Sequence, residues 1–486
     1  MPGWWGTAAV AAVCLVVAGL SLLIPSAPTT DSWGWIVWGR EILHLELSTV
    51  VPGAPSWKPL PILVTTPLAL AGSAAPVLWL FVARAAGLAS LLIAYRLADR
   101  LAGRWAGLLA VVGLVLSAHW LREFAHGYSE PLAIGLLLAA VDQHLCGRPR
   151  WALLLGGLVA LARPEAWCLV ALYGIVLWRR GGAHPLLIAA VLVAVPALWL
   201  VPDWIGSGDP FHAGKASRAI APTGSRATLE ALGEAALIDP LPLSVTAVGG
   251  TVLALHLGDR RILGIAAAVL VWTALLAALM LAGYPASSRF FVLPAGLLCV
   301  LGAAGAVRVV EAAHDRHARI ALAVVLALVA APPALLRAAD IADKARATVS
   351  LARLESDLRT TVQQASVQLS RCGNPTLPNG LAWVKGLVAW ELDLPLRRVH
   401  SLPTSASDYV TRLSEPENEP ENEPPPRLPP SGSVTVRPPR DPFVLLEPFA
   451  PAHVRLAGRP RAGLTTTAAA GQWRAQTRAG ASCPRA

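Results

Sequence analysis

Residues 29–58 read TTDSWGWIVWGREILHLELSTVVPGAPSWK, and this stretch decides how the chain is understood. It breaks an otherwise apolar sequence early and gathers Asp31, Arg40, Glu41, Glu46 and Lys58 around Trp33, Trp35, Trp38 and Trp57. Charged groups beside lipid are costly, so where they persist they tend to be paired or functional. Two readings follow. The stretch is half of a reaction site at a membrane surface, or it is an ordinary extramembrane loop whose tryptophans sit at headgroup level.

The surroundings identify the medium. The chain has 486 residues, 55% of them hydrophobic and 14% charged, against about 25% charged in water-soluble domains. With a mean hydropathy of +0.55 this is a polytopic α-helical membrane protein. The first apolar segment, 4–24, is too long for a signal-peptide core and has no Lys or Arg before it, so it is expected to be kept as a span. Spans need roughly 20 apolar residues and are expected near 4–24, 77–98, 104–120, 128–146, 151–163, 165–178, 184–202, 241–257, 262–282, 290–309 and 320–337, about 11 transmembrane helices. Pro59 to Leu70 is too short and proline-rich to cross, and is expected to lie along the interface.

The net charge of +10 comes mostly from arginine, since Lys58, Lys215, Lys344 and Lys385 are the lysines. Arginines recur in alternate short loops, at 96, 100 and 104, at 148 and 150, at 179 and 180, at 260 and 261, and at 308, 316 and 319. Positive loops face the cytoplasm, which places the N-terminus inside and the loops carrying Asp31, Glu130, Arg163 and Arg289 outside. The basic residues are therefore topology signals, and nucleic acid is not an expected partner. Residues 203–240 form a second long outer loop, either a mobile cover bearing Lys215, Arg218 and Arg226 or a plain connector.

Residues 1–337 make the membrane domain; an odd number of spans puts 338–486 outside as a small α+β domain. Residues 338–370 carry helical periodicity, the next thirty read as strand, turn, helix and strand, and VTVRPPRDPFVLLEPFA and GQWRAQTRA add strands. The acidic, proline-rich run EPENEPENEPPPRLPP at 415–430 cannot build a core and is a linker or exposed loop. Cys372 and Cys483 fall in this outer part, where a disulfide between them and two separate thiols are both open.

Four clusters then share the outer side: Asp31 with Arg40, Glu41 and Lys58; His126, Tyr128 and Glu130; Arg163 and Glu165; and Arg289 with Phe290 ahead of Pro294. This layout resembles the GT-C superfamily of membrane glycosyltransferases over roughly residues 1–337. The matching features are an aspartate soon after the first span, Lys58-Pro59-Leu60, Glu130 entering a later span, Arg163-Pro164-Glu165, Arg289-Phe290 before a proline, and Arg84 in the outer part of the second span. The chain departs from the pattern at Ser32, where many relatives carry a second acidic residue, and at Leu60, where they carry a second proline.

The resemblance implies transfer of a sugar from a polyprenyl-phosphate carrier to an extracytoplasmic glycan, lipid or protein acceptor. The residue types suit that chemistry. A carboxylate, Asp31, would deprotonate the acceptor hydroxyl, while Lys58, Arg289, Arg163 and Arg84 would hold the phosphate as its charge grows. Glu130 has three readings: orienting the acceptor, binding a divalent cation (Mg²⁺ or Mn²⁺) together with Asp31, or holding one of the arginines. Glu165, His126, Tyr128, Arg40 and Glu41 are expected to position substrate, and no cofactor is otherwise implied. The alternatives are a flippase or transporter of a lipid-linked sugar and a non-catalytic cell-envelope assembly protein.

Overall fold

The structure, a computed structural model, describes residues 4–51, 55–220, 222–366, 375–378, 384–402, 444–448, 464–470 and 473–478. Cys372, Cys483 and the run 415–430 lie outside the described residues.

Every segment read as a span coincides with a helix. In chain order these are α1 Trp4–Ser21, α4 Ala75–Ala102, α5 Arg104–Val115, α7 Glu130–Leu145, α8 Pro149–Ala162, α9 Trp167–Arg179, α10 Pro185–Ser207, α13 Leu241–Leu257, α14 Arg260–Leu281, α15 Val292–Glu311 and α16 Arg316–Gln364. Between them lie α2 Thr30–Leu43, α3 Pro59–Leu68, α6 Trp120–His126, α11 His212–Ile220 and α12 Ser225–Ala235, and α17 Lys385–Glu391 follows. Five of the described helices are long and apolar enough to cross a membrane, six if the bent pair α5–α6 is one span. Val13, Leu20, Leu186, Val193, Leu255, Leu270 and Leu328 stand exposed on this bundle, as lipid-facing side chains do.

The most enclosed helix is α15, 78% of whose apolar window is buried; the apolar window of α16 lies on the outside, 0% buried. Small residues let α15 meet α13 closely, the usual device where apolar packing alone gives no drive in lipid. A Cβ on Gly305 would run into the Thr246 carbonyl, and the Thr246 hydroxyl donates to Gly302 O at 2.9 Å.

Three features depart from the sequence reading. The stretch after Asp31 is a helix, capped by Thr29 accepting from Ser32 N. The outer loop 203–240 is largely helical, and Asp203 ties it down by accepting from Thr49 Oγ1 at 2.7 Å and Ala213 N at 2.8 Å. The chain also does not pause near residue 337, because α16 continues as one helix of 49 residues through Pro332 and Pro333.

The tryptophans of α2 are neither headgroup anchors nor exposed stacking surfaces. Trp33, Trp35 and Trp38, with Trp57 and Trp79, form a second core together with Leu358 and Val362 of α16, Leu387 and Val388 of α17 and strand residues Leu377 and Ala475. Their indole N–H groups are aimed at acceptors: Trp33 at Glu355 Oε2 (3.2 Å), Trp35 at Ser56 O (2.9 Å) and Trp38 at Ser48 O (3.1 Å). Five strands, β1 Pro375–Pro378, β2 His400–Leu402, β3 Val444–Pro448, β4 Leu464–Ala470 and β5 Trp473–Arg478, form a sheet of order β2-β1-β3-β5-β4. The first two pairings are parallel and the last two antiparallel.

The seat of α17 on α2 is close. A Cβ on Gly386 would stand 2.5 Å from Trp33 Cβ, and Arg40 donates to Ala389 O (3.1 Å), Trp390 O (3.3 Å) and Leu394 O (2.7 Å). Glu41 accepts from Leu396 N (2.7 Å) and Ser48 N (3.2 Å); burial raises its pKa, opposed by these amides. Burial pushes the Lys385 ammonium down from 10.5 to about 8. The folded tail therefore binds fewer protons than the unfolded chain between those values, so its stability rises with pH through that window and is lowest below it. Thermal unfolding followed by tryptophan fluorescence should show a higher midpoint at pH 9.5 than at pH 7.5, and Lys385→Met should flatten the difference.

Candidate active site

Of the charged residues singled out in the sequence, Lys58, Glu130, Arg163 and Arg289 sit at chain breaks, the first three immediately before a proline. Lys58 and Arg163 are extended (φ −140°, ψ 113° and φ −143°, ψ 107°), as the clash of a following proline ring favours. Lys58 caps α3, Arg163 closes α8, and Glu130 opens α7 with Pro131 behind it. Arg289 lies in a short 3₁₀ turn, Ser288–Phe291, whose amide Ser287 caps. Each break ends a helix near one level of the bundle, so four distant segments deliver their side chains to one place.

Glu130 is the meeting point, its side chain 0% exposed. Its Oε1 receives Lys58 Nζ at 3.1 Å, Arg163 Nη2 at 2.5 Å and Arg289 Nη2 at 3.3 Å. Ser129 Oγ donates to Oε2 at 3.3 Å and accepts from Lys58 Nζ at 2.9 Å. The position at the start of α7 also suits an anion, by the helix dipole. Arg289 Nη2 reaches Asp31 Oδ2 at 3.5 Å as well, and Asp31 Oδ1 accepts from Ser56 N at 3.3 Å. Three cations thus contact two carboxylates, leaving one positive charge in excess.

Aromatic faces complete the walls. Arg289 lies 4.8 Å from the centroid of Tyr128, Arg163 5.4 Å from that of Phe290 and Lys58 5.3 Å from that of Trp35, distances at which a ring face attracts a cation. Access is graded: Arg289 and Asp31 are 28% and 16% exposed, whereas Lys58 and Arg163 are 6% and 5%. An entering anion therefore meets Arg289 first.

The remaining sequence candidates are placed elsewhere. Arg84 donates to Ser21 O at 2.7 Å, to Ala125 O at 2.7 Å and to Ser26 Oγ. His126 turns to Ala27 O (2.9 Å) and Thr348 Oγ1 (3.0 Å). Arg40 and Glu41 bind the tail, and Glu165 accepts from Tyr284 OH at 3.2 Å. Of the substrate-positioning candidates, Tyr128 touches the cluster. Sequence reading passed over Ser129, which the Lys58 and Glu130 contacts recruit, and Glu123, a buried carboxylate on α6 neither of whose oxygens accepts a hydrogen bond. Ser129 stands in the sequence between Tyr128 and Glu130; nothing in the sequence sets Glu123 apart from other polar residues.

The donor set does not suit a divalent ion between Asp31 and Glu130. Three cations already crowd Glu130 Oε1, and a further double charge would face them at contact distance. Among the described residues no group of three His, Cys, Asp or Glu side chains is placed to hold a metal.

At the far end of the same helices the basic loops pair among themselves. Asp142, twelve residues along α7 from Glu130, binds Arg96 (3.3 Å) and Arg100 (3.0 Å), and Arg308 binds Asp259 at 2.6 Å. At 1.5 Å per residue this puts roughly 18 Å between the two charged levels.

The apolar helices make this a multi-pass membrane protein, and its fold is similar to that of solved structures of ArnT. Among solved structures, ArnT from Cupriavidus metallidurans bound to undecaprenyl phosphate matches with a TM-score of 0.56 and 14% identity, covering 100% of both chains. Its apo form matches with 0.56 and 13% identity over 99% of this chain and 100% of that one. The oligosaccharyltransferase of Archaeoglobus fulgidus in complex with Zn and sulfate gives 0.48 and 13% over 81% and 62%. No family profile and no curated protein sequence matches the chain.

Removing one member of a buried ion cluster costs about 3–5 kcal/mol, and the change is far smaller at a partly exposed pair. Glu130→Gln should therefore lower the thermal midpoint in detergent by several degrees, with Asp31→Asn close to wild type. A Glu130→Gln protein as stable as the parent would remove Glu130 as the organising charge.

Proposed function

We propose that this chain is an integral membrane glycosyltransferase that moves a sugar from a polyprenyl-phosphate carrier to an extracytoplasmic glycan, lipid or protein acceptor. The observation that carries the reading is the pairing of an accessible carboxylate, Asp31, with an accessible guanidinium, Arg289, 3.5 Å apart over an otherwise enclosed cationic base. The likeness in fold to ArnT, whose structure holds undecaprenyl phosphate, supports the choice of carrier.

On this reading Asp31 accepts the proton of the acceptor hydroxyl as its oxygen attacks the anomeric carbon. The bond between that carbon and the phosphate oxygen breaks, and the electron pair leaves with the carrier. The phosphate passes from one negative charge to two, and the added charge falls toward Arg289. A fixed cation in a water-poor site stabilises developing charge well because it needs no reorganisation. Lys58 and Arg163 stand behind, bound to Glu130, which holds them in place and restrains Arg289. Orientation follows the alternation of basic loops: N-terminus cytoplasmic, Asp31 and the tail outside.

The assay is transfer from radiolabelled polyprenyl-phosphate sugars to envelope acceptors by the purified full-length protein. General-base loss costs about 10²–10⁴-fold, so Asp31→Asn should reduce kcat by that order with the fold intact. Arg289→Gln should weaken both carrier binding and turnover. Full activity in Asp31→Asn would remove Asp31 from the mechanism, and headgroup translocation in proteoliposomes without any glycosylated product would overturn the proposal in favour of a transporter.

A further inference from the structure

Behind α6, away from the Asp31–Arg289 pair, lies a cavity of about 180 Å³ between the end of α1, α4, the α5–α6 bend and α16. By liquid volume that is room for about six waters. Its walls are mixed in an unusual way. Arg84, Arg122, Arg337 and Lys344 all line it, against the single carboxylate of Asp340. That carboxylate is taken by Lys344 at 2.9 Å. The rest of the lining is apolar, Leu116, Leu121, Phe124 and Ile341 among it, apart from the hydroxyls of Ser21, Ser26, Ser117 and Thr348.

Arg84 is the telling member. It is 2% exposed, and its terminal nitrogens donate to the Ser21 carbonyl and hydroxyl, the Ser26 hydroxyl and the Ala125 carbonyl. Its Nε has no hydrogen-bond partner, and none of its contacts is a carboxylate. A buried guanidinium without a counter-charge is costly, and one that lines an apolar cavity near a membrane surface marks a site for an anion with an apolar body. The cavity is too small for a whole lipid. Beside its lining residues Ile24 and Arg337 in the chain, Leu23, Leu335 and Leu336 are 80%, 71% and 73% exposed, an apolar surface on which a lipid chain could lie.

We propose that this cavity holds the phosphate headgroup of a membrane lipid, at a site distinct from the sugar-transfer centre. Arg84 supplies the uncompensated charge, and Lys344 and Arg337 close the outer side from α16. The two sites are joined through Tyr128, whose ring takes a guanidinium from each: Arg122 from the cavity at 5.8 Å, with its Nη2 3.4 Å from Tyr128 OH, and Arg289 from the centre at 4.8 Å. Neither the cavity nor its charge depends on the sugar-transfer reading. The same phosphate chemistry is offered by an anionic phospholipid and by a free polyprenyl phosphate.

Native mass spectrometry of the full-length protein decides the matter, with phosphatidylglycerol, undecaprenyl phosphate and the phosphate-free diacylglycerol titrated separately. The titrations are done on an Arg289→Gln background to weaken capture at the reaction centre. Expected is retention of one or both phosphate lipids at least about tenfold above diacylglycerol, about 1.4 kcal/mol. That advantage should be lost in Arg84→Gln and also in Ala345→Trp, which fills the cavity mouth and leaves Arg84 in place. Whichever phosphate lipid shows the advantage names the source. Equal retention of diacylglycerol overturns the proposal, as does phosphate-lipid binding unchanged by Ala345→Trp. Should Arg84→Gln fail to fold, the Ala345→Trp result alone decides. Absence of transferase activity in the unsubstituted protein, with lipid retention intact, would count against the function proposed above and leave this site standing.

Discussion

One carboxylate with no access to water organises one end of this bundle. Glu130 cannot be left unpaired where it lies, because an isolated buried charge costs several kcal/mol, and the three cations that compensate it come from residues 58, 163 and 289. The dependence is mutual. Lys58 and Arg163 are themselves buried and have Glu130 as their carboxylate. The cluster therefore fixes where α3, α7, α8 and the turn before α15 end relative to one another. The prolines after Lys58, Glu130 and Arg163 make this possible, since each forces a break at the residue that must present its charge.

That arrangement explains what could be read in advance. Apolar runs and alternating arginine loops follow directly from lipid solvation, and every expected span has a helix. The residues of the cluster were legible because lysine, arginine and glutamate beside proline at the end of an apolar run have few structural uses. Arg84, His126, Glu165, Arg40 and Glu41 carried the same superficial signal, a polar group near a span end. Their partners are mostly backbone carbonyls, backbone amides and hydroxyls, with the Asp393 carboxylate for Arg40, and several come from segments far along the chain, such as Leu396 for Glu41; no local pattern announces those. The α2 tryptophans misled for a related reason. A tryptophan-rich stretch beside a span looks the same whether its faces meet headgroups or a distant tail, and the tail's contribution is encoded some 320 residues later, at Glu355.

The second core gives the tail a mechanical consequence. Asp31 occupies the first turn of α2, and the other faces of that helix are buried against α3, α16 and α17. On the α3 side a Cβ on Gly39 would sit 2.7 Å from the Thr65 backbone, so the two helices are in direct contact. On the tail side Arg40 grips three carbonyls at the end of α17. A helix clamped on both sides cannot rotate to carry Asp31 away from Arg289 without unseating the tail. The outer residues thus bear on the geometry of the cluster whether or not they touch a substrate.

On the proposed function, the graded exposure of the cluster favours one of its two carboxylates as the base. A general base must have a lone pair free for the incoming proton and a path by which the hydroxyl reaches it. Glu130 has neither: one oxygen faces three cations, the other accepts from Ser129, and the side chain is sealed. Asp31 holds one backbone amide and one long contact to Arg289, and it is open to the outside. Protonating Glu130 would also release the attraction that holds three cations together, whereas protonating Asp31 frees Arg289 from a competing anion at the moment the departing phosphate gains charge. On the proposed function, the same proton transfer that activates the acceptor would strengthen the grip on the leaving group, a coupling that the 3.5 Å between Asp31 and Arg289 allows and separate corners of the site would not.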